Sequence, residues 1–161
     1  MNAILNVEKP QLVVLNGDLI TGENTYLANS SAYVDEIVRP LVQRGLAWAS
    51  TYGNHDSDVN LSRWEILARE KRYVPHSLTQ SMVPGPDAGV SNYFLPVFGS
   101  NYPLDLVPAV ILWFFDSRGG NYFQQRDQNG NGVPQPGWVD ESVRSVPLKT
   151  KGKKPCVDGR L

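Results

Sequence analysis

Apolar residues in this chain fall in short runs, and the spacing within each run separates strands from helices. In "QLVVLNGD" the run Leu12 to Leu15 stops at Asn16-Gly17. Consecutive apolar positions place apolar side chains on both faces, which predicts a buried strand in a sheet covered by helices. In "NSSAYVDEIVRPLVQRG" the period changes, with Val34, Ile37, Val38, Leu41 and Val42 at helical spacing. Ser30 or Ser31 is the expected N-cap, Asp35 and Glu36 sit in the early turns, and Gly45 is a C-cap candidate. Pro40 is expected to kink or shorten this helix. "LAWAST" then predicts a second strand running directly into Gly53. Strand, helix, strand is the pattern of a crossover between parallel neighbours, and ligands gather at the carboxyl ends of such strands. Asp18 and Asn54 both fall just beyond those ends.

Further along, "LSRWEILAREK" predicts a helix with Leu61, Trp64, Leu67 and Ala68 on its inner face. A stretch punctuated by Pro, Gly and Asn contains "NYFLPVF" as a strand. "AVILWFFDSRGG" is the most strand-like segment, read as a buried run ending at Asp116 and a Gly pair. "QRDQNGNGVPQPG" reads as a loop before the helical start "WVDESV", and Met1 to Lys9 reads as the end of a helix. No internal repeat is present.

Composition narrows the classes. A chain of 161 residues can bury a real core in one domain. Its 41% apolar and 19% charged content is that of a folded soluble protein. The net charge of −1 gives no reason to expect nucleic acid or an anionic membrane as partner. Charge is unevenly placed: Lys149, Lys151, Lys153, Lys154 and Arg160 against Asp158 give the end of the chain +4 and the remainder −5. The single Cys156 excludes an internal disulfide framework and a Cys-based zinc site. The first residues lack signal-peptide character, and "AVILWFF" is too short to span a membrane, so the compartment stays open.

Two clusters carry candidate chemistry. Asp18 is a hard oxygen ligand able to bridge two cations, and Asn54 offers a neutral carbonyl oxygen. His55 titrates near neutral pH and can donate a proton to a leaving alkoxide. Asp56 is expected to hold the His55 ring in one tautomer. Gly17 and Gly53 let the backbone turn tightly. Either cluster alone reads as an ordinary turn, but both together at adjacent parallel strand ends favour a metal site. Asp116 with Ser117 and Arg118 marks another strand end; a strand-terminating turn is the favoured reading, and contact with substrate phosphate, with Arg118 as the candidate, or support of the site is the alternative. His76 fits an exposed loop. Asp127, Asn129, Asn131 and Gly132 imitate half a calcium loop, but Trp138 stands where the closing Glu is required, which favours a polar turn. Trp113-Phe114-Phe115 and Tyr93-Phe94 read as core rather than a stacking platform.

At these residues the sequence resembles a known family. "NGDLITG" and "GNHD" resemble the second and third signature blocks of the calcineurin-like metallophosphoesterases. "EKPQLVVLNGDLITGENT", "SNYFLPVF", "LWFFDSRGG" and "GWVDESV" are similar to a mainly fungal, purple-acid-phosphatase-like branch. The resemblance covers about Glu8 to Val143. It implies an α/β fold of the four-layer α+β type, here a partial β-sandwich flanked by helices, with two metals at the strand ends. Asp18 would bridge them, Asn54 would ligate the second, His55 would be the acid, and Asp56 would support it. The implied cofactors are two divalent or trivalent ions (Fe, Zn or Mn) that activate the attacking water. The implied substrate is a phosphate ester, in a small molecule or a phosphoprotein.

The departures from that pattern matter equally. The family's opening Asp-x-His block and its later His and Gly-His-x-His blocks have no counterpart here; the only other histidine is His76. Two oxygen ligands hold a divalent ion poorly. Thr21 replaces the Tyr of the iron-tyrosinate type, so no such chromophore is expected. After residue 146 the pattern gives way to a basic stretch, residues 147–161, expected to be disordered or non-native. Residues 1–146 are expected to form a partial, marginally stable domain. Two functional expectations follow: a phosphate-ester hydrolase at family level, or a non-catalytic fragment that keeps the scaffold.

Overall fold

The computed structural model describes residues 1–21, 30–58, 60–85, 87–100 and 107–145. The opening residues form helix α1 (Asn2–Glu8), closed by Lys9 in the left-handed conformation with its N–H on the Leu5 carbonyl. Strand β1 (Leu12–Asn16) follows, then helix α2 (Ser30–Val42) and strand β2 (Ala47–Thr51). The two strands pair in parallel, Leu12 beside Ala47 through Asn16 beside Thr51. The alternation of the strand faces then sorts their side chains into two layers. Val13, Leu15 and Trp48 point to one side and pack with Val38 and Leu41 of α2. Leu12, Ala47 and Ala49 point to the other.

Pro40 does not break α2, which continues to Val42, two residues beyond it. The helix stops at Gly45, whose φ of 65° is open to glycine without strain. Gly45 N–H bonds the Val42 carbonyl and Leu46 N–H bonds the Leu41 carbonyl, a Schellman closure. Leu46 and Leu41 then meet in the same apolar cluster. Ser30 and Ser31, the expected N-caps, already lie within the helix, and the cap position falls among residues 22–29, outside the described residues.

The second layer is antiparallel. Strand β3 (Tyr93–Val97) pairs with β4 (Val110–Phe114), Tyr93 opposite Phe114. Those two rings stack with centroids 4.5 Å apart, and with Leu95 and Leu78 they cover Ala49. The chain therefore stacks helix, parallel pair and antiparallel pair. β4 is not buried on both faces as its sequence suggests: Val110, Ile111 and Trp113 are exposed, as is Phe115 just beyond it. Val14 of β1 is exposed too, on the face that α2 does not cover. Val14, Ile111, Trp113 and Phe115 line an open groove of about 460 Å³ beside Asn16 and Thr51.

Helix α3 (Arg63–Glu70) starts with a capping box, in which Ser62 accepts from Glu65 N–H and the Glu65 side chain accepts from Ser62 N–H. Its rotation differs from the sequence reading. Arg63, Ile66, Leu67 and Glu70 face inward, while Trp64 and Ala68 are exposed. The spacing is helical as expected, but the stripe is charged at both ends. "QRDQNGNGVP" also departs from its reading as a loop. With the residues before it, it forms a hairpin of β5 (Asn121–Arg126) and β6 (Gly132–Pro134) whose turn is held by Asp127 accepting from Asn129 and Asn131 N–H. "WVDESV" ends in a 3-10 turn, Glu141–Ser145, in which Asp140 caps Ser142. Residues 146–161 lie outside the described residues.

Helices α2 and α3 are joined by a polar clamp. Asp35 accepts from Arg69, through Nε at 2.7 Å and also through Nη2, and from Tyr73 Oη at 2.8 Å. The Arg69 hydrogen bonds, joined by the Tyr73 hydroxyl, hold the Asp35 carboxyl below its usual range. A depressed carboxylate stabilises the fold above its unfolded pKa and loses that contribution as pH falls through its folded value. The pair is about a quarter exposed, so solvent limits its worth to about 0.5–1 kcal/mol. Asp35→Asn should lower the thermal midpoint by a few degrees at pH 7. The gap from wild type should close below the ordinary aspartate range, as calorimetry at pH 7 and pH 2.5 can check.

Candidate functional site

β1 and β2 end side by side, and the loops leaving them touch. Gly17 and Asp18 both take positive φ, 79° and 50°. That turn brings Asp18 onto the loop after β2: a Cβ on Gly53 would stand 2.7 Å from the Asp18 nitrogen, and one on Gly17 would stand 3.0 Å from Gly53 N. Glycine is therefore required at 53 by contact and at 17 by both contact and φ. Across this junction His55 N–H donates to Asp18 Oδ1 at 3.0 Å. Asp18, Asn54 and His55 are exposed together at the strand ends.

The aspartate at the His55 ring is not the one the sequence implied. Asp56, expected at the imidazole, turns inward and is fully buried. Its Oδ2 accepts from Gly53 N–H at 2.7 Å and its Oδ1 accepts from Ile20 N–H at 3.0 Å, so it ties the two loops by their backbones. Burial pushes its carboxyl up to about 6, against the opposing pull of those N–H groups. The imidazole is met instead by Asp58, whose Oδ2 lies 2.7 Å from His55 Nδ1. The sequence reading missed Asp58. Its signal was the i, i+3 spacing inside a turn, which returns the chain to the histidine ring.

Compared with known proteins, the chain matches the calcineurin-like phosphoesterase family over residues 1–154. It belongs to that family. It is 32% identical over 142 residues to the phosphatase DCR2 of Saccharomyces cerevisiae, covering 86% of this chain and 23% of that protein. In Arabidopsis thaliana it is 28% identical over 153 residues to "Probable inactive purple acid phosphatase 28", covering 88% of this chain and 36% of the relative. "Probable inactive purple acid phosphatase 29" is 29% identical over 128 residues, with 76% and 31% covered. The chain thus spans about a quarter to a third of these relatives. No solved structure matches. Family membership implies an α/β sandwich, to which the parallel and antiparallel layers described above correspond.

The calcineurin-like family binds paired metals, and the donors here fit that centre only in part. Asp18 and Asn54 lie at one end of the fold, but among the described residues no group of three His, Cys, Asp or Glu side chains could hold an ion. Asp18 also spends Oδ1 on the His55 amide. The donor set falls short of a coordination shell.

The remaining candidates support structure. Asp116 is fully buried and accepts from Val90, Ser91 and Arg118 N–H. Arg118, expected at a substrate phosphate, is 3% exposed. Its guanidinium donates to the Trp138 and Asp87 carbonyls and pairs with Asp140 at 3.3 Å. Those bonds would have to break before Arg118 met a substrate. The Asp127 carboxylate is engaged by its own turn, whose Asn131 and Asn129 N–H groups hold it below the usual range. His76 is half-buried, its carbonyl accepting from Trp48 N–H.

The contact at Gly53 gives a direct test. Gly53→Ala should cost about 1–3 kcal/mol, the range for forcing extra atoms into a packed site. Urea denaturation followed by tryptophan fluorescence checks the value. Gly45→Ala faces open space and carries strain from φ alone, so it should cost less.

Proposed function

We propose that this chain carries the proton-donor part of a phosphate-ester hydrolase site, with Asp18 and Asn54 as its metal-facing oxygen donors. The observation that supports it is the His55–Asp58 pair standing beside Asp18 and Asn54 at adjacent strand ends. With Nδ1 bound to Asp58, Nε2 is the nitrogen that carries the transferred proton to the leaving alkoxide. Asp58 stabilises the imidazolium needed for that donation. Asp56 works behind them, fixing the loop by its backbone. The substrate is a phosphate ester, in a small molecule or a phosphoprotein. In the family, a metal pair activates the attacking water.

One observation favours a second reading. The short donor set suits a scaffold that keeps the family fold without turnover. Two relatives named as inactive purple acid phosphatases accord with that reading for their own chains.

Turnover of p-nitrophenyl phosphate with added manganese separates the two. Under the hydrolase reading, His55→Ala lowers kcat by about 100-fold or more. Asp58→Asn lowers it roughly tenfold, as expected for a lost hydrogen bond to a charged group. Turnover that is absent or indifferent to His55, together with no stoichiometric manganese by calorimetry, would establish the scaffold reading.

A further inference from the structure

Arg63 sits at the first turn of α3, 6% exposed, with no carboxylate beside it among the described residues. A buried guanidinium is costly unless its N–H groups find acceptors, and here they do. Nε and Nη2 donate to the Gly53 carbonyl at 3.1 and 2.9 Å. Nη2 also reaches the Arg118 and Gly119 carbonyls at 3.2 and 3.1 Å, and Nη1 donates to Gln135 Oε1 at 2.8 Å. Three parts of the chain, the loops after β2 and β4 and the strand end after β6, thus converge on one planar cation.

What lies between those parts is Asn54. A Cβ on Gly119 would stand 3.2 Å from the Asn54 Cβ, and one on Gly120 would stand 2.5 Å from the Asn54 carbonyl oxygen. The loop after β4 therefore rests on Asn54 so closely that only glycine fits. On its other side, the carbonyl preceding Asn54 is held by Arg63 itself.

We propose that Arg63 is the positioning residue of the strand-end cluster, clamping the Gly53 carbonyl to the 118–119 carbonyls so that Asn54 and His55 are held in place from both sides. Its bearing on catalysis rests on the hydrolase reading; its bearing on the loop does not. Lysine cannot replace it. A single ammonium offers three tetrahedral donors, whereas the fork spans acceptors from three segments in one plane.

Amide hydrogen exchange on the full chain, without metal, tests the clamp. In Arg63→Lys, protection of the His55 amide (on Asp18) and the Gly119 amide (on Pro136) should fall at least tenfold. The Trp48 and Leu78 amides, bonded within the core, should stay within twofold of wild type. Equal loss at all four sites, or no loss at His55 and Gly119, would overturn the proposal, since a plain core residue predicts those patterns. If Arg63→Lys fails to fold, Gln135→Ala decides, because it removes only the Nη1 acceptor and should give a smaller loss at the same two amides. Loss confined to other sites would again overturn it. For p-nitrophenyl phosphate, Arg63→Lys should lower kcat with KM within twofold of wild type. A wild-type protein without turnover refutes the hydrolase reading, and the exchange pattern still decides the role of Arg63.

Discussion

The carboxylate of Glu70 is the interaction on which the arrangement depends. It is fully buried, and it accepts from Trp48 Nε1 at 2.8 Å, Ser50 Oγ at 2.6 Å and Tyr52 Oη at 2.6 Å. Positions 48, 50 and 52 share one face of an extended chain, so three successive inward side chains of β2 and its continuation converge on one acceptor. A carboxylate in the interior is tolerated only with such a set of donors, and removing one leaves a buried charge short of a partner. Burial and the Glu70 charge push the Tyr52 hydroxyl well above its usual pKa, so it keeps the proton it donates. α3 is thereby fixed in rotation about its axis as well as in distance from the sheet. Ile66 and Leu67 then fill the space against Val34, Tyr52 and Val90.

That rotation explains how the far end of α3 can act on the loops. Arg63 lies seven residues before Glu70, on the same stripe, two turns away. Glu70 grips the body of β2, and Arg63 grips the carbonyl just beyond its end. A helix secured at both ends to one strand and its loop is a strut. The positive φ of Asp18 and the close contact at Gly53 are conformations a free loop would relax from, and they persist because the strut and the Asp56 backbone bonds over-determine them.

How much of this was legible in the sequence follows from the range of each interaction. β1, α2, β2 and the motif ends were readable because their cues are local: apolar run, helical period, Gly45, Asn16-Gly17. Parallel pairing followed from the order of elements. The rotation of α3 was not readable. A hydrophobic count places Trp64 inside and leaves Arg63 and Glu70 out, while their acceptors and donors lie as far as residues 118–119 and 135. The β5–β6 hairpin was missed for the opposite reason. Its strands are polar and largely exposed, so no alternation marks them, and the Asp127 turn that sets the pairing imitates a calcium loop. Arg118 and Asp56 were identified as important, but chemistry and anchoring use the same residue types, and only the partners tell them apart.

The same distinction separates what this chain secures from what it leaves open. Asp56, lifted from an ordinary value near 3.8 to about 6 by burial, binds its proton more tightly in the folded state than in the unfolded one. Its contribution to stability is therefore fully present below about pH 4 and is lost as pH rises through about 6, an effect of order 3 kcal/mol. At neutral pH the strand-end loops are held by a carboxylate whose ionisation burial opposes. The cost is offset by the apolar layers and by the Glu70 and Arg63 bonds, none of which touches a substrate. Meanwhile the side chains with chemistry to offer, Asp18, Asn54 and His55, are exposed on that frame. The apolar groove beside Asn16 and Thr51 opens on the same end of the sheet. The Glu70, Arg63 and Asp56 bonds thus act together to give two loops one shape. On the hydrolase reading proposed above, that fixed shape is what would hold Asp18, Asn54 and His55 toward a substrate.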